Sequence, residues 1–287
     1  MVEISAALVM KLRKMTGQGM MNCKRALEEA DGDIDKSIEI LRKKGFATLK
    51  KRSDRETSEG LVIGVEGENW ASLATLCCET DFVAKSDDFM VAVDFIRNYV
   101  EKCEADCGAD AVLETEIDGK KGSEIITEIV SKTGEKMVLG DYQRFYLGDR
   151  PGLIRTYIHF NGKVGAMVEI ETSDENTAQA DVLKQTAWDI AMHITATKPL
   201  ALDKDDIAPE TIEREKGIFA EQVKNKPANI IDKIVEGKMR KFFVENCLLD
   251  QLFIKDDSKS VAQVLAEAAR QAGGEAKIKR FVRFEVG

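Results

Sequence analysis

The stretch "LIRTYIHFNGKVGAMVEIET", residues 153–172, decides the fold. Two apolar runs flank Asn161-Gly162, the strongest short-range hairpin signal in the chain. A helical segment follows, with Leu183, Ala187, Ile190 and Ile194 on one face, and "KIKRFVRFEV", residues 277–286, closes the chain as a strand. The same order occurs earlier. "GLVIGVEGENWASLATLCCE", residues 60–79, is a hairpin around Gly67-Glu68-Asn69. Phe89, Val93, Ile96 and Val100 then share a helix face, and "EKMVLGDYQRFYL", residues 135–147, supplies another strand. The duplication predicts an α+β fold. Each half, residues 60–147 and 148–287, is a small antiparallel sheet covered by helices.

The second half carries an insertion at about residues 205–243. Pro209 opens a helix kept in register by Ile212, Phe219 and Val223. Asn225-Lys226-Pro227 breaks the pattern, and Ile231, Val235, Met239 and Phe242 resume it, so the insertion reads as an antiparallel helical hairpin. Its apolar seam requires a helix–helix contact, within the chain or with another.

Residues 1–52 read as three short helices. Ile4, Leu8 and Leu12 line the first, which Gly17 ends. "MMNCKRALEEADG" is stopped by Gly32; "DIDKSIEILRKKG" is opened by Asp33 or Asp35 and closed by Gly45. A bundle this small has little core of its own and suits a docking module. Residues 53–59 lie in a charged, aperiodic stretch and read as a linker.

Composition narrows the function. Apolar residues make up 44% and charged residues 32% of 287, as in ordinary globular proteins. No apolar run could span a bilayer. "MVEISAALVMKLRKM" scatters charges through its apolar pattern, unlike a secretory signal, so a cytoplasmic protein with six reduced cysteines is expected. Cys77 and Cys78 face opposite sides of one strand, and Cys103 and Cys107 stand one helical turn apart. With no CxxC pair and two histidines, neither a metal nor another cofactor is expected. The net charge of −9 argues against direct nucleic-acid binding, and the basic stretch "LRKKGFATLKKR", residues 41–52, reads as a solvated helix end and linker. GxSxG, P-loop and GxGxxG motifs are absent, and His159 and His193 read as structural, so no enzyme is expected.

One segment resists that bland account. In "CCETDFVAKSDDF", residues 77–89, an acid and an aromatic sit side by side between a strand and a helix. On spacing alone, Asp81 caps a short helix starting at Phe82, and Phe82 is core. Met20 and Met21 are either core or an adaptable surface.

The motifs "MTGQGMMNCKRALEEADGDIDKSIEILRKKG", "TDFVAKSDDF", "AMHITATKP", "EGKMRKF" and "RFVRFEV" together resemble the bacterial translation elongation factor Ts family, in the right order over nearly the whole chain. Residues 103–134 have no close counterpart, and some relatives add a helical tail. The resemblance implies a module like ubiquitin-associated domains, a duplicated core and a coiled-coil arm. It also implies guanine nucleotide exchange on the GTPase elongation factor Tu, by a protein that binds neither nucleotide nor metal. Thr80, Asp81, Phe82 and Val83 would enter the partner near its Mg²⁺, with Met20, Met21 and His159 as further docking residues. A homodimer or a 2:2 complex stays open. The rival reading is an adaptor using the N-terminal module, which would leave the acid–aromatic elbow without a purpose.

Overall fold

The computed structural model describes residues 4–224 and 226–287; the first three residues of the N-terminal module and Asn225 of the expected helix break lie outside them. The chain begins with α1 (Ala6–Thr16), α2 (Met20–Glu29) and α3 (Ile34–Lys51). Their starts follow from capping: the Ser5 side chain accepts from the Leu8 amide and Asp33 from the Lys36 amide. Gly17 ends α1 in the left-handed region, φ 66°. Leu12, Cys23, Leu27 and Leu41 form the small core, with Ile4 and Leu8 against it.

The expected stop at Gly45 is not there, because α3 runs on to Lys51. Gly45 is where α3 crosses α7 (Gly122–Thr133). A Cβ there would run into the Thr127 carbonyl and stand 2.8 Å from its Cγ2. Close packing of the helices offsets the helix-propensity cost of glycine, about 1 kcal/mol. The basic stretch 41–52 is therefore helix almost to its end, and part of its charge is used internally. Arg42 pairs with Glu124 and Glu128 at 3.2 and 3.1 Å.

The first half contains β1 (Glu59–Glu66), β2 (Trp70–Cys78), α4 (Asp81–Ala84), α5 (Asp87–Lys102), α6 (Ala109–Glu114), the short pair β3 (Glu116–Ile117) and β4 (Lys120–Lys121), α7, and β5 (Met137–Tyr146). The second contains β6 (Gly152–Ile158), β7 (Val164–Thr172), α8 (Glu175–Gln179), α9 (Asp181–Thr197), α10 (Pro209–Gln222), α11 (Ala228–Asn246), β8 (Leu252–Phe253), β9 (Asp256–Ser260), α12 (Val261–Gln271) and β10 (Ala276–Glu285). The main sheets have the orders β1-β2-β5 and β10-β7-β6, antiparallel throughout. In each, the second hairpin strand is central and a strand from beyond the helices pairs beside it. The duplication read from the sequence is thus a duplication of topology.

Alternation along the strands builds the layers. Ile63, Ala74 and Leu76 face α5 and α7, whereas Val62, Leu73 and Phe145 face Ile154 and Met167 of the other sheet. On its far side, the second sheet packs Leu153, Val168 and Ile170 against α9 and α12. The sheets approach closely at Gly165, where a Cβ would come within 2.9 Å of Val62 Cγ1. The Val62 amide donates to the Gly162 carbonyl at 2.7 Å, so the tip of the second hairpin grips the first strand. That tip is the loop between Ile158 and Val164, with Asn161-Gly162 inside it. The buried Glu169 takes hydrogen bonds from Arg150 (3.1 Å) and Arg280 (2.6 Å), and Arg280 stacks on Phe145 of the other sheet at 4.1 Å.

Cys77 and Cys78 do face opposite sides, contacting the inter-sheet and first-half cores. Cys103 and Cys107 do not share a helix. Cys103 is the C-cap of α5, and its carbonyl accepts from Tyr142 Oη (3.0 Å) and Arg144 (2.7 Å). The chain then leaves to bridge Gln143 at Cys107.

In the arm, Val223 and Met239 are buried on the seam. Its base is a separate cluster of Ala201, Ile207 and Cys247, flanked by Ile212, Phe242 and Phe243. Among the described residues, no helix is long and apolar enough to cross a membrane.

Candidate functional site

The turn after β2 is clamped from two sides. Arg52 Nη1 donates to both Glu79 oxygens, at 2.9 and 2.7 Å, and the Lys136 amide donates at 2.6 Å. Burial opposes the charge of Glu79, but these donors overcome it and hold its pKa below the ordinary value. One residue on, Thr80 Oγ1 donates to Glu135 at 2.9 Å while accepting from the Val83 amide at 3.3 Å. Thr80 is therefore the N-cap of α4, and Asp81 is its first residue rather than its cap. Both residue types cap well; Thr80 wins because its backbone is extended (φ −127°, ψ 154°). Ser86 then caps α5, accepting from the Phe89 amide at 3.3 Å.

This frame divides the TDFV residues. Val83 packs partly buried against the first-half core. Phe82 points the other way and is 83% exposed, which excludes the core role suggested by spacing. A phenyl ring left in water forgoes about 1.5–3 kcal/mol of burial. Asp81 faces solvent beside it, and a 2.8 Å hydrogen bond from Lys85 holds its carboxyl below the usual carboxylate range. The elbow thus presents an ionised acid and a bare aromatic ring on a single capped turn. The neighbouring thiol is inert: burial and the charge of Glu135 push Cys78 up to about 12.

The other expected residues stand on separate elements. Met20 and Met21 open α2, 49% and 60% exposed, while Cys23, Ala26 and Leu27 fill the bundle core. His159 is half-buried at the tip of the second hairpin, its Nδ1 3.4 Å from Tyr157 Oη. Its ring lies 4.4 Å from that of Phe160, which is 92% exposed. Phe160 escaped the sequence reading, because the face it presents is set by the path of the loop between Ile158 and Val164.

His193 is buried and structural. The Ile254 amide donates to its Nδ1 at 3.2 Å, which fixes the Nε2–H tautomer, and Nε2 donates to Gln251 Oε1 at 2.9 Å. Burial lowers its pKa. Among the described residues, no group of three or more His, Cys, Asp or Glu side chains could hold a metal ion.

The model of the elongation factor TS family matches residues 79–287, from the base of the elbow to the last residue. An elongation factor Ts from Nitratiruptor sp. is 43% identical over 290 residues, covering all of this chain and 94% of the relative. One from Clostridium kluyveri is 41% identical and one from Clostridium perfringens 38%, each covering 99% of this chain and 93% of the relative. The N-terminal helices precede the family-model match but fall within these alignments.

Proposed function

The chain belongs to the elongation factor Ts family of translation elongation factors, and from that premise we propose that it binds elongation factor Tu·GDP in the cytoplasm and promotes GDP release. The exposed Phe82 on its clamped turn carries this reading. No covalent bond changes, and the chain needs no active site of its own. Asp81 and Phe82 enter the partner's nucleotide domain near Mg²⁺, with Thr80 and Val83 fixing their direction. Mg²⁺ demands near-ideal octahedral geometry and usually keeps several waters. An ionised acid beside that shell and a ring wedged between the elements holding it both favour an open partner.

The energies are within reach of one small contact. A nucleotide held at nanomolar affinity is bound by about 12 kcal/mol, and weakening it a thousandfold takes about 4. The coupling is reciprocal, so an incoming nucleotide expels the factor as the factor expels GDP. Met20, Met21 and His159 serve as secondary docking points, and residues 1–52 act as a docking module. The test is release of fluorescent GDP from purified elongation factor Tu. Substoichiometric amounts of this protein should accelerate it; an unchanged rate would refute the assignment.

A further inference from the structure

Helix α5 has two apolar faces. Phe89, Val93, Ile96 and Val100 fill the core, but Val91 and Phe95, one turn apart on another side, are 43% and 47% exposed. They form a wall of a cleft of about 780 Å³ between the N-terminal helices and the first half, lined also by Met15, Ile38, Ile117 and Ile125. This size, apolar lining and position between structural units suit a small-ligand site.

The cleft's charge differs from that of the chain. Lys14, Arg42, Lys120 and Lys132 line it against Asp118 and Glu128, but Arg42 is paired with Glu124 and Glu128 and Lys120 with Glu128, which leaves Lys14 and Lys132 to carry its excess positive charge in a protein of net charge −9. Lys14 makes no ion pair among the described residues. Three buried side-chain polar atoms lack a partner among the described residues, and two belong to lining residues: Arg42 Nε and Gln18 Oε1. Buried polar groups are rarely left unpaired. Arg42 Nε lacks an acceptor and Gln18 Oε1 a donor, so the two atoms mark polar space inside the cleft, and an anionic head supplies the counter-charge that Lys14 and Lys132 lack.

We propose that this cleft binds an amphipathic monoanion, with its acidic head against Lys14 and Lys132 and its apolar body against Met15, Val91 and Phe95. The site is separate from the Phe82 elbow and independent of the exchange reading. The test titrates the full chain with 1-anilinonaphthalene-8-sulfonate and follows fluorescence. One saturable site is expected, weakening as salt is raised. Lys14→Glu should lower affinity about fivefold, the weight of an exposed charge contact reversed. Phe95→Ser should lower it about tenfold, through lost apolar contact. Both positions are at least partly exposed, and unchanged melting temperatures will confirm intact folding; Val91→Ser replaces Phe95→Ser if it does not fold. The neutral N-phenyl-1-naphthylamine should bind about tenfold more weakly. Displacement by laurate identifies a fatty-acid-like occupant, and displacement only by 2-naphthoate an aromatic acid. The proposal falls if no saturable site appears, if neither substitution moves the affinity, if the neutral probe binds equally, or if neither acid displaces the dye.

Discussion

Phe82→Ala separates a working ring from a structural one. With 83% of the residue already in water, truncation forfeits about a fifth of the ~3 kcal/mol that full burial of such a ring contributes, roughly 0.5 kcal/mol. At this chain length the melting temperature should fall by less than about 2 °C. The cap from Thr80 and the inward packing of Val83 remain, so the turn keeps its shape. If the ring is the wedge, GDP release should slow at least tenfold, a barrier increase of about 1.4 kcal/mol. The assay pairs stopped-flow release of fluorescent GDP from elongation factor Tu with a thermal melt of the free factor. A large drop in melting temperature with unchanged release would refute the reasoning, because the ring would then be structural. Repeating release in EDTA with Asp81→Ala plus Phe82→Ala separates two routes. A deficit that narrows once the metal is gone implicates the Mg²⁺ shell; an undiminished one points to displaced nucleotide-binding elements.

Gly45→Ala should destabilise by about 1–3 kcal/mol, although Gly→Ala within a helix normally stabilises, because the new Cβ meets Thr127 across the α3–α7 contact; a rise in melting temperature would disprove that close approach. Replacing residues 214–240 with a short flexible linker leaves the cluster at the arm's base intact, so melting should shift by no more than a few degrees and exchange should suffer far less than with Phe82→Ala; failure to fold would make the arm part of the core. His193 is held neutral with a lowered pKa, so the unfolded chain takes up its proton first as pH falls. Its contribution should be constant above about pH 6.5 and be lost progressively below it. Denaturant melts of His193→Phe should lack that part of the acid slope, and an unchanged slope would assign it elsewhere.

The duplicated sheets were legible because alternation, the Asn-Gly signal and helical spacing agreed locally in each half. Capping was legible for the same reason: Asp33 and Gly17 act where their local chemistry says they should. What the sequence hid was set by distant contacts. Gly45 reads as a stop until α7 is seen against it. The path from Cys103 to Cys107 depends on Tyr142 and Arg144, some forty residues away. The exposure of Phe82 was hidden too, since one turn of helix has too few residues to establish a face. Only its resemblance to known relatives set it apart from a core aromatic.

The hold of the second hairpin's tip on β1 bears on how this fold covers its sheet edges. Every open sheet has two outer strands with unpaired amides, which can recruit another chain. In this fold β1 and β6 turn theirs toward each other: Val62 donates to Gly162, and the Thr156 amide donates to Glu66 at 2.5 Å. The outer side of β5 is strapped by residues 106–108, where the Arg144 amide donates to the Asp106 carbonyl at 2.7 Å. The outer strand β10 carries Lys277, Lys279, Arg280 and Arg283, charged side chains of the kind that disfavour edge pairing, here paired with Glu171, Glu169 and Glu285. The strap is a loop, joined to β5 through main-chain hydrogen bonds at residues 106–108. Loosening it, for instance through damage at the exposed Cys107, would bare a pairing edge while both cores stayed intact. Aggregation would then begin from a folded molecule, ahead of any melting transition.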